Sequence, residues 1–251
     1  MKIGIADYGM NVWYGGCYDI EQRLLDLKKI GYDGIERLDE VASAAEALEK
    51  AALFHKHGMD FATCRGPNLQ AGIRWTAALG KEYVWLAIGS AGSRDIPLFC
   101  RQSEEFAAAC KTWGIKAIVH NHLGQACESQ KNLEEFLDNA PNCGLLLDTG
   151  HLAAAGGDCF RTIEKYYDRI VAVHVKDYVF KNVKLGLDQW PERLRFCELG
   201  AGEMGQANAE ILKLLKSKGY DGWVCVEHDT HLQEPLKDLA ISREYLRKAG
   251  F

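Results

Sequence analysis

The feature that most constrains this chain is a joint that repeats. Lys28-Lys29-Ile30-Gly31-Tyr32-Asp33-Gly34-Ile35-Glu36 and Lys216-Ser217-Lys218-Gly219-Tyr220-Asp221-Gly222-Trp223 share Gly-Tyr-Asp-Gly 188 positions apart, with looser copies around Gly58, Gly80 and Gly114. In each, a helical pattern stops at glycine, which takes the left-handed conformation without a Cβ clash, and a β-rich run follows within a few residues. Reading outward from these joints predicts eight strands: Lys2–Asp7, Gly34–Leu38, Asp60–Arg65, Tyr83–Ile88, Lys116–His122, Gly144–Asp148, Ile170–Lys176 and Trp223–His228. Helical segments separate most of them. The clearest starts after Asp19, an acidic N-cap with Gln22 three residues on, carries Ile20, Leu24, Leu27 and Ile30 at helical spacing, and stops at Gly31. Arg101–Trp113 and Glu210–Lys218 read similarly.

Strands that alternate with helices form parallel sheet, which is buried on both faces, and runs such as Ile170-Val171-Ala172-Val173 suit that burial. Eight such units in 251 residues predict a single α/β domain over 1–251, a (β/α)8 TIM barrel. An open doubly wound sheet is the competing architecture. It lacks its nucleotide fingerprint here, because Tyr8-Gly9-Met10-Asn11-Val12 follows strand one where Gly-x-Gly-x-x-Gly would stand. The net charge of −5 argues against a nucleic-acid partner. No apolar run reaches the roughly 18 residues of a membrane span, and the start Met1–Asp7 does not develop into a signal peptide, so a cytoplasmic protein with no membrane partner is expected. The nine cysteines include no Cys-x-x-Cys pair and read as reduced core fillers. Tyr178–Gly205 reads as an irregular stretch that folds over the barrel mouth as a lid.

Active sites of such barrels lie at the C-terminal strand ends. Strand five ends His120-Asn121-His122, six Asp148-Thr149-Gly150-His151, seven His174-Val175-Lys176-Asp177, eight Glu227-His228-Asp229, and strand two carries Glu36 at its end. The two-residue alternation puts His120 with His122, and His174 with Lys176, on one face. Carboxylates and imidazoles aimed at one axis would be costly to bury without a counter-charge, and a divalent cation is the usual one. Such a cation would stabilise negative charge on an oxygen bound to it, as in the enolate formed when a neighbouring base takes the proton beside a carbonyl. His122 or Glu227 is the expected base and Lys176 the expected stabiliser of an oxyanion or a leaving hydroxyl. The bland readings stand beside these: His55 and His57 as solvated residues, His228 and His231 as rim hydrogen-bonders, Glu36 as a loop anchor, Lys176 as an ion-pair partner of Asp177 or another carboxylate.

Leu145-Leu146-Leu147-Asp148-Thr149-Gly150-His151, Val171-Ala172-Val173-His174-Val175-Lys176-Asp177 and Gly222-Trp223-Val224-Cys225-Val226-Glu227 resemble the last three strands of the xylose isomerase-like barrels. That group holds sugar (phosphate) isomerases and epimerases, inosose dehydratase and apurinic endonuclease family 2. Gly31–Glu36, Leu199-Gly200-Ala201-Gly202-Glu203 and Ser242-Arg243-Glu244-Tyr245-Leu246-Arg247 resemble further landmarks of the group. The resemblance implies one divalent metal, manganese, magnesium or cobalt with zinc also compatible, on strands five to eight. Asp148, His174 and Glu227 match three of its four ligand positions; His151 and Glu36 match residues that contact substrate. The fourth position departs. His120 stands where epimerases carry Glu, and the branch with His-Asn-His supplies a Glu where this chain has Gln125, so His122, Gln125 and Glu128 stay open beside His120. The expected function is a metal-dependent sugar isomerase or epimerase acting on a carbohydrate, with an inosose dehydratase-like lyase as the alternative. Apurinic endonuclease chemistry needs three metals and extra His and Asp ligands, which Val175-Lys176-Asp177-Tyr178 does not supply. A non-catalytic sugar-binding barrel is the remaining alternative, and a homo-oligomer is compatible with all of these.

Overall fold

The computed structural model describes residues 1–39, 41–86, 95–231 and 233–251. Eight strands form one all-parallel sheet: β1 (Lys2–Ala6), β2 (Gly34–Leu38), β3 (Asp60–Cys64), β4 (Tyr83–Trp85), β5 (Lys116–His120), β6 (Gly144–Asp148), β7 (Ile170–Val175) and β10 (Trp223–Glu227). Their order is β3-β2-β1-β10-β7-β6-β5-β4, and β4 comes round beside β3, so the sheet curls into a nearly closed (β/α)8 barrel. The predicted strands are present within one or two residues of their bounds; the predicted end of strand four at Ile88 lies outside the described residues. All nine cysteines are free thiols, and only Cys17 is exposed.

The local rules that predicted the joints operate as expected. Asp19 accepts the Gln22 N–H at 3.0 Å at the start of helix Ile20–Ile30, and Gly31 ends it at φ 103°. The other two helices begin earlier than their periodicity suggested, at Ile96–Lys111 and Ala207–Ser217. A short helix, Tyr8–Trp13, follows β1 and was not foreseen.

Tyr178–Gly205 corrects the reading of an irregular stretch. It contains an antiparallel ribbon, β8 (Asp177–Phe180) paired with β9 (Leu194–Cys197), with helix Trp190–Arg193 between them. The run Tyr-Val-Phe-Lys is too short to register as a strand without its partner. Asp177 fastens the ribbon's return, accepting N–H groups of Tyr178, Gly200, Gly202 and Met204 at 2.8–3.1 Å.

The barrel interior is built in layers. Ala62, Tyr83, Ile118, Leu146, Ala172, Trp223 and Cys225 form one buried apolar cluster, distinct from the larger core between sheet and helices. Two residues further along β4, β5, β6, β7 and β10, the same inward alternation presents Trp85, His120, Asp148, His174 and Glu227. The apolar layer is the floor of the site.

Candidate metal centre

Asp148 ends β6 and caps helix Thr149–Ala154, its Oδ1 accepting the His151 N–H at 2.7 Å. Its backbone is clamped by Asn121, whose amide accepts the Asp148 N–H and donates to the Asp148 carbonyl, each at 2.9 Å. With Oδ1 thus engaged, Oδ2 faces His120 Nε2 at 3.2 Å, Lys176 Nζ at 3.3 Å and His174 Nδ1 at 3.8 Å. Glu227 Oε2 lies 2.7 Å from Lys176 Nζ, 2.8 Å from His174 Nδ1 and 4.0 Å from His120 Nε2. Helix Thr149–Ala154 approaches this closely because residue 150 is glycine: a Cβ there would lie 2.6 Å from the Lys176 Cβ. Ligand atoms of His120, Asp148, His151 and Glu227 all fall within 4.8 Å of one another.

His174 is held on both sides. Nδ1 meets Glu227 and Nε2 meets Glu36 Oε2 at 2.9 Å, while the Tyr83 hydroxyl donates to the other Glu36 oxygen at 3.1 Å. Burial opposes charge on this ring, but the carboxylates of Glu36 and Glu227 outweigh it and raise its pKa to about 10. Burial likewise opposes charge on Lys176; Asp148, Asp229 and Glu227 overcome it and hold the ammonium above its ordinary range. The rings of His120, His122 and His151 go the other way, below the ordinary histidine value, with burial as the leading cause in each. Four carboxylates, Glu36, Asp148, Glu227 and Asp229, thus share two buried cations, Lys176 and His174. The group carries two negative charges in excess, and its nitrogen and oxygen donors suit a divalent ion of the zinc, manganese or cobalt type. By donor chemistry and charge, the residues fit such an ion.

The sequence-predicted residues separate into those the fold gathers and those it leaves aside. His120, Asp148, His151, His174, Lys176 and Glu227 converge. Glu36 lies in the middle of β2, not at its end, and reaches the group through His174. His122 stacks on His151 with ring centroids 3.8 Å apart and donates from Nδ1 to the Leu123 carbonyl at 2.6 Å. Gln125 sits in the turn after β5, tied by its backbone N–H to the His122 carbonyl, and no hydrogen bond joins its side chain to the cluster among the described residues. Glu128 accepts the Gly124 N–H, a local turn contact. Lys176 and Asp177 do not pair, because consecutive residues point to opposite sides: Lys176 inward and Asp177 to the ribbon's return. His57 is not freely solvated but meets Glu21 at 2.7 Å, and His228 and His231 are buried rather than at a rim.

Sequence reasoning missed four contributors. Asp229 reaches Lys176 at 3.3 Å from beyond the strand, where alternation no longer predicts direction. Asn121 and Asn208 are buried clamps, the latter donating to the Lys176 carbonyl at 3.0 Å. Trp85 packs against His120 and His174, with centroids 4.9 and 5.5 Å away; the alternation Tyr83, Trp85 could have found it. The ribbon covers the group: Trp190 and Phe196 lie 6.0 and 4.9 Å from the His151 ring. Beside it, a cavity of about 780 Å³ opens at the ends of β1–β3, lined among others by Asp7, Arg23, Arg37, Lys50 and Arg65. Arg37 joins the two, its guanidinium 4.5 Å above the Trp85 ring.

The chain is similar to inosose dehydratase of Clostridium perfringens (strain 13 / Type A), 28% identical over 154 residues that make up 57% of this chain and 51% of that protein. It spans about half the length of the relatives it matches in this way. Among solved structures it superposes on the probable 3-DHS dehydratase AsbF from Bacillus anthracis with a TM-score of 0.76 at 12% identity, covering 98% of this chain and 99% of that one. It also superposes on the IOLI protein with a binding zinc atom, TM-score 0.70 at 15% identity, over 99% and 98% of the two chains. At these identities the superpositions show the fold. Residues 24–249 match the family model described as xylose isomerase-like TIM barrel, and the chain belongs to that family.

Proposed function

We propose that this chain is a divalent-metal-dependent enzyme that removes the α-proton of a keto-sugar or related polyol ketone. The observation that carries this reading is the convergence of His120, Asp148, His151 and Glu227 within 4.8 Å at the C-terminal strand ends, in a buried group short of two positive charges. His120, Asp148 and Glu227 would hold the ion, with His174 as fourth donor once the ion displaces the proton from its Nδ1, which lies 2.8 Å from Glu227 and 3.8 Å from Asp148. When bound, a divalent cation supplies Lewis-acid stabilisation of negative charge that develops on substrate.

The remaining work falls to side chains. His122 spends Nδ1–H on the Leu123 carbonyl, so its Nε2 carries the lone pair, and burial keeps the ring neutral and able to take a proton. Lys176, a fixed ammonium, offers charge and a hydrogen bond to an oxyanion or a departing hydroxyl. Trp190 and Phe196 exclude water above the group. The cavity beside Arg37 has room for the part of the substrate remote from the reacting carbons.

The fate of the enolate decides the reaction name. Return of a proton gives the isomerase or epimerase expected from sequence; loss of a β-hydroxyl gives a lyase, the reading that similarity to inosose dehydratase favours. Incubation of the manganese-loaded protein with keto-sugars and inososes in deuterated water tests both. Deuterium at the α-carbon of an isomer, or water loss with deuterium at the former β-carbon of the ketonised product, is the expected result. Conversion that requires a nicotinamide, or an isomer or dehydrated product with no solvent deuterium at either the α- or the β-carbon once internal proton return has been excluded, would overturn the proposal.

A further inference from the structure

A second cluster lies outside the barrel wall. Glu227 points inward, so the next residue, His228, turns outward under helix Pro235–Lys248. Its Nδ1 lies 3.3 Å from His231 Nδ1, which lies 3.0 Å from Asp238 Oδ2; the third side of the triangle, His228 Nδ1 to Asp238 Oδ2, is 3.9 Å. The three side chains are 0%, 2% and 1% exposed. Among the described residues, Asp238 Oδ1 and His228 Nε2 are buried without a hydrogen-bond partner.

Hydrogen bonding alone does not satisfy these atoms. A neutral imidazole has one N–H. If His231 donates from Nδ1 to Asp238, His228 must keep its proton on the partnerless Nε2, or else turn a second N–H against the first. If His228 donates to His231, the His231 lone pair faces the carboxylate at 3.0 Å. Unmet polar atoms at this depth cost about 1–3 kcal/mol each. A cation that accepts the lone pairs of His228 Nδ1, His231 Nδ1 and Asp238 Oδ2 removes the clash among these three facing atoms, with the His228 proton then on Nε2. Tetrahedral ligation at roughly 2.0–2.1 Å sets donors about 3.3 Å apart, and the observed sides of 3.0, 3.3 and 3.9 Å bracket that edge.

We infer that His228, His231 and Asp238 form a second metal site, of the zinc class, separate from the strand-end centre. Two imidazoles and a carboxylate are donors of that class, and Asp238 Oδ1 is at hand as a further one. The ion ties the segment after β10 to the last helix. It also anchors the short N-terminal helix, where a Cβ on Gly9 would lie 2.0 Å from the His228 carbonyl oxygen and 3.2 Å from the His231 ring. The site does not depend on the proposed reaction.

Cobalt(II) is the probe, titrated into the chelator-stripped full chain and into an Asp148→Asn/Glu227→Gln variant that disables the strand-end centre. Wild type is expected to bind two equivalents and the double variant one, with the intense visible bands of four-coordinate cobalt. His231→Ala or Asp238→Asn in that background should abolish the bands and weaken cobalt binding at least 100-fold. A double variant that binds no cobalt, or whose bands survive both further substitutions, overturns the second site. If wild type and double variant each bind a single ion that His231→Ala removes, the second site stands and the strand-end metal falls.

Discussion

The candidate ligands could be read from the sequence because alternation along a strand is rigid: Asp148 and Glu227 end their strands and His174 lies one residue before the end of its own, all on the inward face. Their partners were harder to see. Glu36 is 138 residues from His174, and only closure of the barrel brings the two together. Lys176 is the residue whose setting matters most, fully buried among Asp148, Glu227 and Asp229. Replacing it by Met leaves carboxylates uncompensated, so Lys176→Met should lower metal-free stability by about 3–5 kcal/mol in urea unfolding. Added manganese should restore much of the loss, and unchanged metal-free stability would contradict the charge account. His174→Ala should release the strand-end metal while His151→Ala keeps it; the reverse in metal analysis would make His151 the fourth donor. A third effect belongs to Asp7, whose carboxyl is raised to about 6 by burial, against the opposing pull of Arg23. The folded state therefore holds this proton more tightly than the unfolded chain, and that stabilising effect is lost as pH rises from about 4 to above 6. Wild type should lose about 2–3 kcal/mol relative to Asp7→Asn across that window, measured as the difference between their urea-unfolding free energies.

At the scale of elements, the joints were legible because a helix stop and a strand start are local events, written in a glycine and the few residues after it. The ribbon of β8 and β9 was not, because its two strands are four residues each and are held by pairing and by Asp177 rather than by any periodic pattern. Asp177→Ala should therefore cost about 3 kcal/mol by freeing four N–H groups, as read by urea unfolding, with strand-end metal content unchanged. Trp190→Ala tests the cover separately. It should lower turnover at least tenfold while moving the melting temperature by no more than about 2 °C, and deleting Lys181–Asp188 should act in the same direction. Full activity in both variants would leave the ribbon no part in catalysis.

For the whole molecule, alternating units of this length specify a parallel barrel, and the barrel explains why residues from 36 to 229 meet at one mouth. What composition and periodicity could not supply is the balance of charge there, which depends on how many buried carboxylates close around Lys176 and His174. That balance is the basis for the metal. Crystals grown with manganese and measured at an anomalous wavelength test it directly. The account predicts one strong peak at the barrel mouth, about 2.0–2.3 Å from oxygens of Asp148 and Glu227 and a nitrogen of His120. Well-ordered crystals with these side chains in place and no peak among them, Lys176 still seated between the carboxylates, would contradict it.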